Sequence, residues 1–182
     1  MRKLKLAVYV SLDGVVENPA WTAPYWNDEL SDLQADYLYS SDALVLGRVT
    51  YEGFAASWPG MEESTGEFGR KMNAMPKFVA SNTLQDADWN ASIIEGDLAA
   101  AVTKLKEQDG GDLLIYGSGD VVDELTRVGL IDEYRLMVYP VVLGHGKRLF
   151  NDVRETALRL VASTTTGTGV AVLTYERATE PS

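Results

Sequence analysis

The sequence contains no cysteine and a single histidine, His145. Without cysteine the chain has no disulfide, no thiolate nucleophile, no iron–sulfur cluster and no cysteine-built zinc site. One histidine likewise excludes a multi-histidine metal centre, so no metal is expected. Positive charge is also scarce, with 16 Lys+Arg against 27 Asp+Glu and a formal net charge of −11 over 182 residues. Such a surface repels polyanions, and non-specific nucleic-acid binding is not expected. No stretch approaches the roughly 18 apolar residues of a membrane span. The basic start Met1–Lys5 leads into apolar Leu6–Val10, but polar Ser11 and Asp13 interrupt it. That run is too short for the core of a secretory signal, and no small-residue cleavage site follows. The expectation is one cytoplasmic domain over residues 1–182, long enough to bury roughly 70% of the unfolded chain's surface.

Short apolar runs alternate with amphipathic ones. Leu4–Val10, Ala43–Leu46, Lys77–Ala80, Ser92–Ile94, Asp112–Tyr116 and Tyr134–Val142 read as strands. Helices are expected from about Asp28 to Ser40, across Val49–Ser57, near Phe68, after the N-cap Asp97, and from Val121 to Gly129. Leu158–Thr166 and Val170–Arg177 alternate with period two around Gly167-Thr168-Gly169, the pattern of a hairpin. Strand–helix alternation with a terminal hairpin predicts an α/β domain with a mainly parallel sheet and an antiparallel edge.

In open α/β sheets ligands bind where strands end at their carboxyl termini, near a reversal of strand order. Four such ends carry chemistry. Ser11-Leu12-Asp13-Gly14 closes the first strand, either as a plain Asp-Gly turn or as a place where backbone approaches a ligand. Gly47-Arg48-Val49-Thr50 marks a strand-to-helix junction, where free N–H groups, a guanidinium and a hydroxyl could receive an anion. The alternative is a capped helix with a surface arginine. Ser81-Asn82-Thr83 could hold a ribose or phosphate, and these are equally good turn formers. Gly117-Ser118-Gly119 is half of a dinucleotide fingerprint, with Val122 at the third glycine position. Asp28, Asp32 and Asp36 form a polar helix stripe, of which Asp32 is a candidate acid if it projects into the cleft. Leu143–Arg148 holds His145 in a glycine-flanked turn and a Lys147-Arg148 pair that could attract an anionic substrate.

In order, SLDG, LGRVTYE, SNTL, IYGSG and YPVVLGHGKRLF resemble the dihydrofolate reductase-like superfamily. Within it the chain is most similar to the reductase domain of the bifunctional riboflavin-biosynthesis deaminase-reductase and its stand-alone relatives, from Lys3 to about Arg177. The resemblance implies a three-layer fold, a mixed, mainly parallel sheet of about eight strands with an antiparallel C-terminal hairpin. It implies an NADPH site in which Gly47, Arg48 and Thr50 contact phosphates, Ser81, Asn82 and Thr83 lie by the adenosine 2′-phosphate, and Gly117, Ser118 and Gly119 support the pyrophosphate and nicotinamide side. Ser11, Asp13 and Gly14 would lie beside substrate and nicotinamide. No deaminase module is present, since its His/Cys zinc ligands have no counterpart.

The resulting expectation is an NADPH-dependent reductase passing hydride to a C=N or C=O bond of a heterocyclic or ribosylamino-pyrimidine or pterin-like substrate. Its cofactor carries the reactivity, which suits a chain without cysteine. Asp13, Asp32 or an ordered water would supply the proton. Trp21, Tyr25, Trp26, Phe54 and Trp58 could line an aromatic-friendly substrate pocket, or be core or lid. A second expectation is a nucleotide- or small-ligand-binding module without turnover. Family relatives commonly pair, so a homodimer is expected, with Tyr134–Val142 as a possible apolar contribution to its interface.

Overall fold

The structure, a computed structural model, describes residues 1–178. One eight-stranded sheet runs through it in the order β4-β3-β2-β5-β1-β6-β8-β7. The strands are β1 (Leu4–Ser11), β2 (Ser41–Gly47), β3 (Lys77–Ala80), β4 (Ala91–Ile94), β5 (Asp112–Tyr116), β6 (Glu133–Tyr139), β7 (Leu158–Thr165) and β8 (Ala171–Arg177). The six from β4 to β6 are parallel, and β8 and β7 add as antiparallel neighbours. The expected layout of a mainly parallel sheet with an antiparallel terminal hairpin is therefore observed.

Helices cover both faces, which is why the central strands are apolar on both sides. On one face α1 (Asp28–Tyr39), α2 (Arg48–Ser57) and α4 (Glu67–Ala74) bury Leu30, Leu38, Tyr51 and Met72 against Ala7, Leu44, Leu46 and Leu114, beside the single turn α3 (Glu62–Thr65). On the other, α5 (Leu98–Glu107) and α6 (Gly119–Arg127) bury Val102, Val122 and Leu125 against Leu4, Leu6, Val45 and Ile115. Helix starts follow local chemistry. The Asn27 side chain accepts from the Leu30 amide at 3.1 Å, and Asp97, as expected, accepts from Ala100 at 2.6 Å.

Two expectations are corrected. β6 stops at Tyr139 instead of running to Val142, because Pro140 has no N–H for a ladder. The chain beyond it crosses to the loop after β1, where the Leu12 amide donates to Val141 at 2.8 Å. In addition, β6 lies between β1 and β8, so both of its edges are paired inside the sheet. Most of the Tyr134–Val142 run is thus interior and offers no strand edge to a second copy.

Candidate active site

The strand order reverses between β5 and β1: β2, β3 and β4 extend to one side, β6 to the other. The carboxyl ends of β3, β2, β5, β1 and β6 therefore share one edge, and four of them bear the loops singled out above. Gly47 and the start of α2 meet Gly117-Ser118-Gly119 directly, since the Gly47 amide donates to Ser118 Oγ at 2.8 Å. A Cβ on Gly47 would stand 3.4 Å from Ser118 Cβ, in ordinary van der Waals contact, so the two loops pack directly against each other. Gly117 (φ 56°) and Ser118 (φ 60°) are both left-handed, which turns the chain sharply into α6. Thr50 Oγ1 lies 3.5 Å from where a Cβ on Gly117 would stand. Two helix N-termini, α2 and α6, thus flank one gap, each with orphan N–H groups.

Arg48 is exposed at that gap and pairs with Glu52 one turn later, 3.0 Å away. An exposed i,i+4 pair of this kind is weak and readily exchanged for a better anion. Ser81 follows Ala80, which pairs with Gly47, so it sits on the same edge. Its hydroxyl is committed to its own turn, accepting from Thr83 at 3.2 Å and Leu84 at 3.0 Å, while Asn82 and Thr83 are exposed.

Beyond the reversal, Asp13 joins two loops. Its carboxylate accepts from Ser11 Oγ at 2.6 Å, from the Leu143 amide at 3.1 Å and from the Gly144 amide at 2.8 Å. These donors, the Ser11 hydroxyl first, hold the carboxyl well below the usual carboxylate range. Asp13 is therefore charged at neutral pH and has no proton to give; its position makes it a tie between the loops after β1 and β6. Ser11 is buried and also accepts from the Val15 amide, so its hydroxyl is occupied. Gly14 (φ 89°) lies against the Arg148 stem. Lys147 reaches the other way, its stem over Gly119 and its ammonium on Asp120.

Asp32 is exposed on the outer side of α1 and does not project into the cleft. The side of α1 turned toward the sheet carries Leu30, Gln34, Tyr37 and Leu38. Gln34 is 4% exposed, and its Nε2 donates to Tyr9 Oη at 2.5 Å. Its Oε1 is buried without a partner among the described residues, as are the hydroxyls of Tyr116 and Tyr139. These side chains share one face around small Ala7, which neighbours Tyr116 on β5 and Arg135 on β6. Burial pushes the Tyr9 hydroxyl up to about 12, against a smaller lowering by Gln34, and raises Tyr116 and Tyr139 further. All three stay protonated and neutral across physiological pH.

An aromatic wall closes the region. Tyr139 meets the ring edges of Tyr9, Trp21 and Tyr25 at centroid distances of 5.8, 5.5 and 5.8 Å. Trp26 stands 6.1 Å from Tyr9 and is 44% exposed, and Phe54 packs 6.2 Å from Tyr116. Trp58 stands behind Phe54, against Phe68. Trp21, Tyr25, Phe54 and Trp58 pack against the core, one of the alternatives the sequence leaves open, and the sequence reading does not single out Gln34, Tyr9, Tyr116 or Tyr139. A helical wheel places Gln34 between Leu30, Tyr37 and Leu38, a polar residue on an apolar face. Period two places Tyr9 with Ala7, though neither signal shows which strands become neighbours.

Residues 2–172 match the family described as RibD C-terminal domain. The chain is similar to the uncharacterized protein YyaP of Bacillus subtilis (strain 168), with 30% identity over 177 residues, 96% of this chain and 94% of that one. Among solved structures it is similar to a Shewanella sp. PV-4 protein assigned provisionally to riboflavin biosynthesis, with TM-score 0.79, 22% identity, and coverage of 98% of this chain and 100% of that one. It is also similar to Enterococcus faecalis dihydrofolate reductase complexed with NADP(H), with TM-score 0.64, 16% identity and 96% of each chain covered. The fold is thus the dihydrofolate reductase-like one.

Proposed function

The chain belongs to the RibD C-terminal domain family, and on that premise we propose that it is an NADPH-dependent reductase acting on a C=N or C=O bond of a small heterocyclic substrate. The observation that carries this reading is the hydrogen-bonded contact between Gly47 and Ser118, which sets the N-termini of α2 and α6 side by side at the strand-order reversal. That donor set fits a pyrophosphate. Orphan amides of two helices and the Thr50 hydroxyl lie at this gap, and the fork of Arg48, at the first position of α2, would donate two parallel hydrogen bonds once released from Glu52. Ser81, Asn82 and Thr83 lie further along the same edge, where the adenosine end would rest. Bound there, NADPH would supply hydride, and the protein would supply binding and orientation.

Reduction adds one hydride and one proton to the double bond. Asp13 is held as a carboxylate and Asp32 faces outward, so neither is assigned as donor. The Tyr9 hydroxyl accepts from Gln34 and keeps its own proton free to donate, with bulk water reaching the rim beside Trp26 to replace it. Trp26 and Gly14 would bound the substrate on its open side. The expected result is a rise in stability of about 2.7 kcal/mol at a hundredfold excess of NADPH over its dissociation constant, with oxidation at 340 nm when a substrate is supplied. Absence of any NADPH effect on melting or tryptophan fluorescence would sink the proposal. Binding without oxidation across pterins, folates and ribosylamino-pyrimidines would favour a ligand-binding module.

For assembly, the edge strand β7 offers what β6 does not. Among the described residues it has one unpaired side, and Leu160 and Val161 are 49% and 40% exposed. We assign the homodimer contact to β7. No helix among the described residues is long and apolar enough to cross a membrane.

A further inference from the structure

Resting on the reductase reading, we propose that Lys147 is a second cofactor-binding cation, one that exchanges Asp120 for the cofactor's pyrophosphate when the nucleotide arrives. The Lys147 stem lies along the first residue of α6, with Cε 3.4 Å and Nζ 3.8 Å from where a Cβ on Gly119 would stand. Gly119 follows Ser118, whose Oγ accepts from the Gly47 amide, so the ammonium stands beside the gap between α2 and α6. That is the positive end of a helix, where the macrodipole disfavours a cation and favours an anion.

Arg48 repeats the arrangement on the other side of the gap. It is the first residue of α2, again at the positive end, and its partner Glu52 lies on its own helix. Two cations therefore rest against two neighbouring helix N-termini, each paired with a carboxylate of that helix. Both carboxylates are exposed, with side chains 47% accessible at Glu52 and 89% at Asp120. Such pairs are weak, and a carboxylate left behind in water loses little. A bound polyanion would satisfy both cations and both helix ends together.

The charge count agrees. A pyrophosphate diester carries a negative charge on each phosphorus, and the formal charge of −11 opposes its approach. Arg48 offsets one of those charges. Arg148, next to Lys147, is turned to Asp13, donating to its carbonyl at 3.1 Å. Lys147 is left to offset the other.

The backbone that carries it is fixed in advance. The Lys147 amide donates to Glu17 Oε2 at 3.2 Å, its carbonyl accepts from the Val16 amide at 2.9 Å, and Arg148 bridges Val15. The exchange is thus a rotation of one side chain whose stem is already packed on Gly119, which keeps the ordering cost of binding low.

The test uses the full chain, and the NADPH melting shift of the wild type is read first. Absence of that shift fails the reductase reading itself. With the shift present, Lys147→Gln is expected to weaken NADPH about tenfold or more in a tryptophan-fluorescence titration. Unchanged affinity overturns this inference and leaves the reductase reading standing. Asp120→Asn is expected to tighten NADPH about twofold, because the ammonium no longer has a competing partner. Weaker binding by Asp120→Asn would mean that the pair itself is required, which also overturns the inference. The double variant separates contact from screening. If Lys147 touches the phosphates, removing it in the Asp120→Asn background still costs about fivefold. If it only neutralises Asp120, removing it there costs nothing, and the inference falls. Phosphorus NMR of the saturated complexes locates the contact. The pyrophosphate resonances are expected to differ between wild type and Lys147→Gln while the 2′-phosphate resonance stays in place; a change confined to the 2′-phosphate overturns the assignment.

Discussion

At the scale of the residue, three polar side chains have been put to different uses. Arg48 is exposed and weakly paired, so its removal leaves the fold almost untouched. Arg48→Ala is expected to change unfolding free energy by less than about 0.5 kcal/mol while raising the dissociation constant for NADPH at least tenfold, as measured by denaturation and fluorescence titration. Asp13 is the opposite case. Its carboxyl sits lower in the folded protein than the ordinary value of 3.8, so it contributes stability that is fully present above about pH 4 and lost as pH falls below it. Melting of the wild type between pH 5 and pH 2 should decline more steeply than that of Asp13→Ala; parallel curves would mean the tie is energetically idle. Gln34 shows where reading a sequence stops. Five acidic or amide residues lie on α1, and charge draws the eye to Asp32, yet the one that is buried, Gln34, is neutral. Its significance comes from Tyr9, a partner 25 residues away.

At the scale of the element, most boundaries follow from local chemistry that the sequence displays. Asp97 caps α5, Gly129 (φ 70°) ends α6, and the two β-branched runs form the hairpin β7–β8. Pro140 was an equally local stop for β6, readable but outweighed by the apolar residues after it. The contact between the loops after β2 and β5 was not readable, because it depends on β5 inserting beside β2. Ser118 holds that contact, and its left-handed backbone costs roughly 1 kcal/mol that glycine would avoid. Ser118→Ala is therefore expected to lose about 1 kcal/mol with the Gly47 hydrogen bond, and Ser118→Gly less, in urea unfolding. Both should weaken NADPH binding.

Lys77, at the start of β3, is buried with its ammonium 2.9 Å from the Asn73 carbonyl and 3.8 Å from the Trp89 ring centroid. Burial lowers it to about 8, against an ordinary 10.5. Between those values the unfolded chain holds a proton that the folded chain has released, so stability should rise with pH across that window. Below pH 8 the burial penalty is fully present. Lys77→Met is expected to gain about 1 kcal/mol at pH 7 and to flatten the alkaline rise in a series of denaturation curves.

At the scale of the whole molecule, the sheet order decides what each end of the chain is for. Light scattering should find a dimer, and Leu160→Lys, on the exposed edge strand, should shift it toward monomer without lowering melting at high dilution. A persistent dimer would move the interface elsewhere. The terminal hairpin also has a second attachment. At its tip the Gly167 amide donates to Glu29 at 2.7 Å, and Thr168 donates to the Tyr25 carbonyl at 2.7 Å, both at the entrance to α1. Glu29 and Gly167 are 138 positions apart. Helix α1 is therefore fastened at its start by residues far along the chain. Its packing on β2 and α4 joins nearer neighbours, whereas this clasp closes a much longer loop, and the entropy of that closure places its formation after theirs as the protein folds.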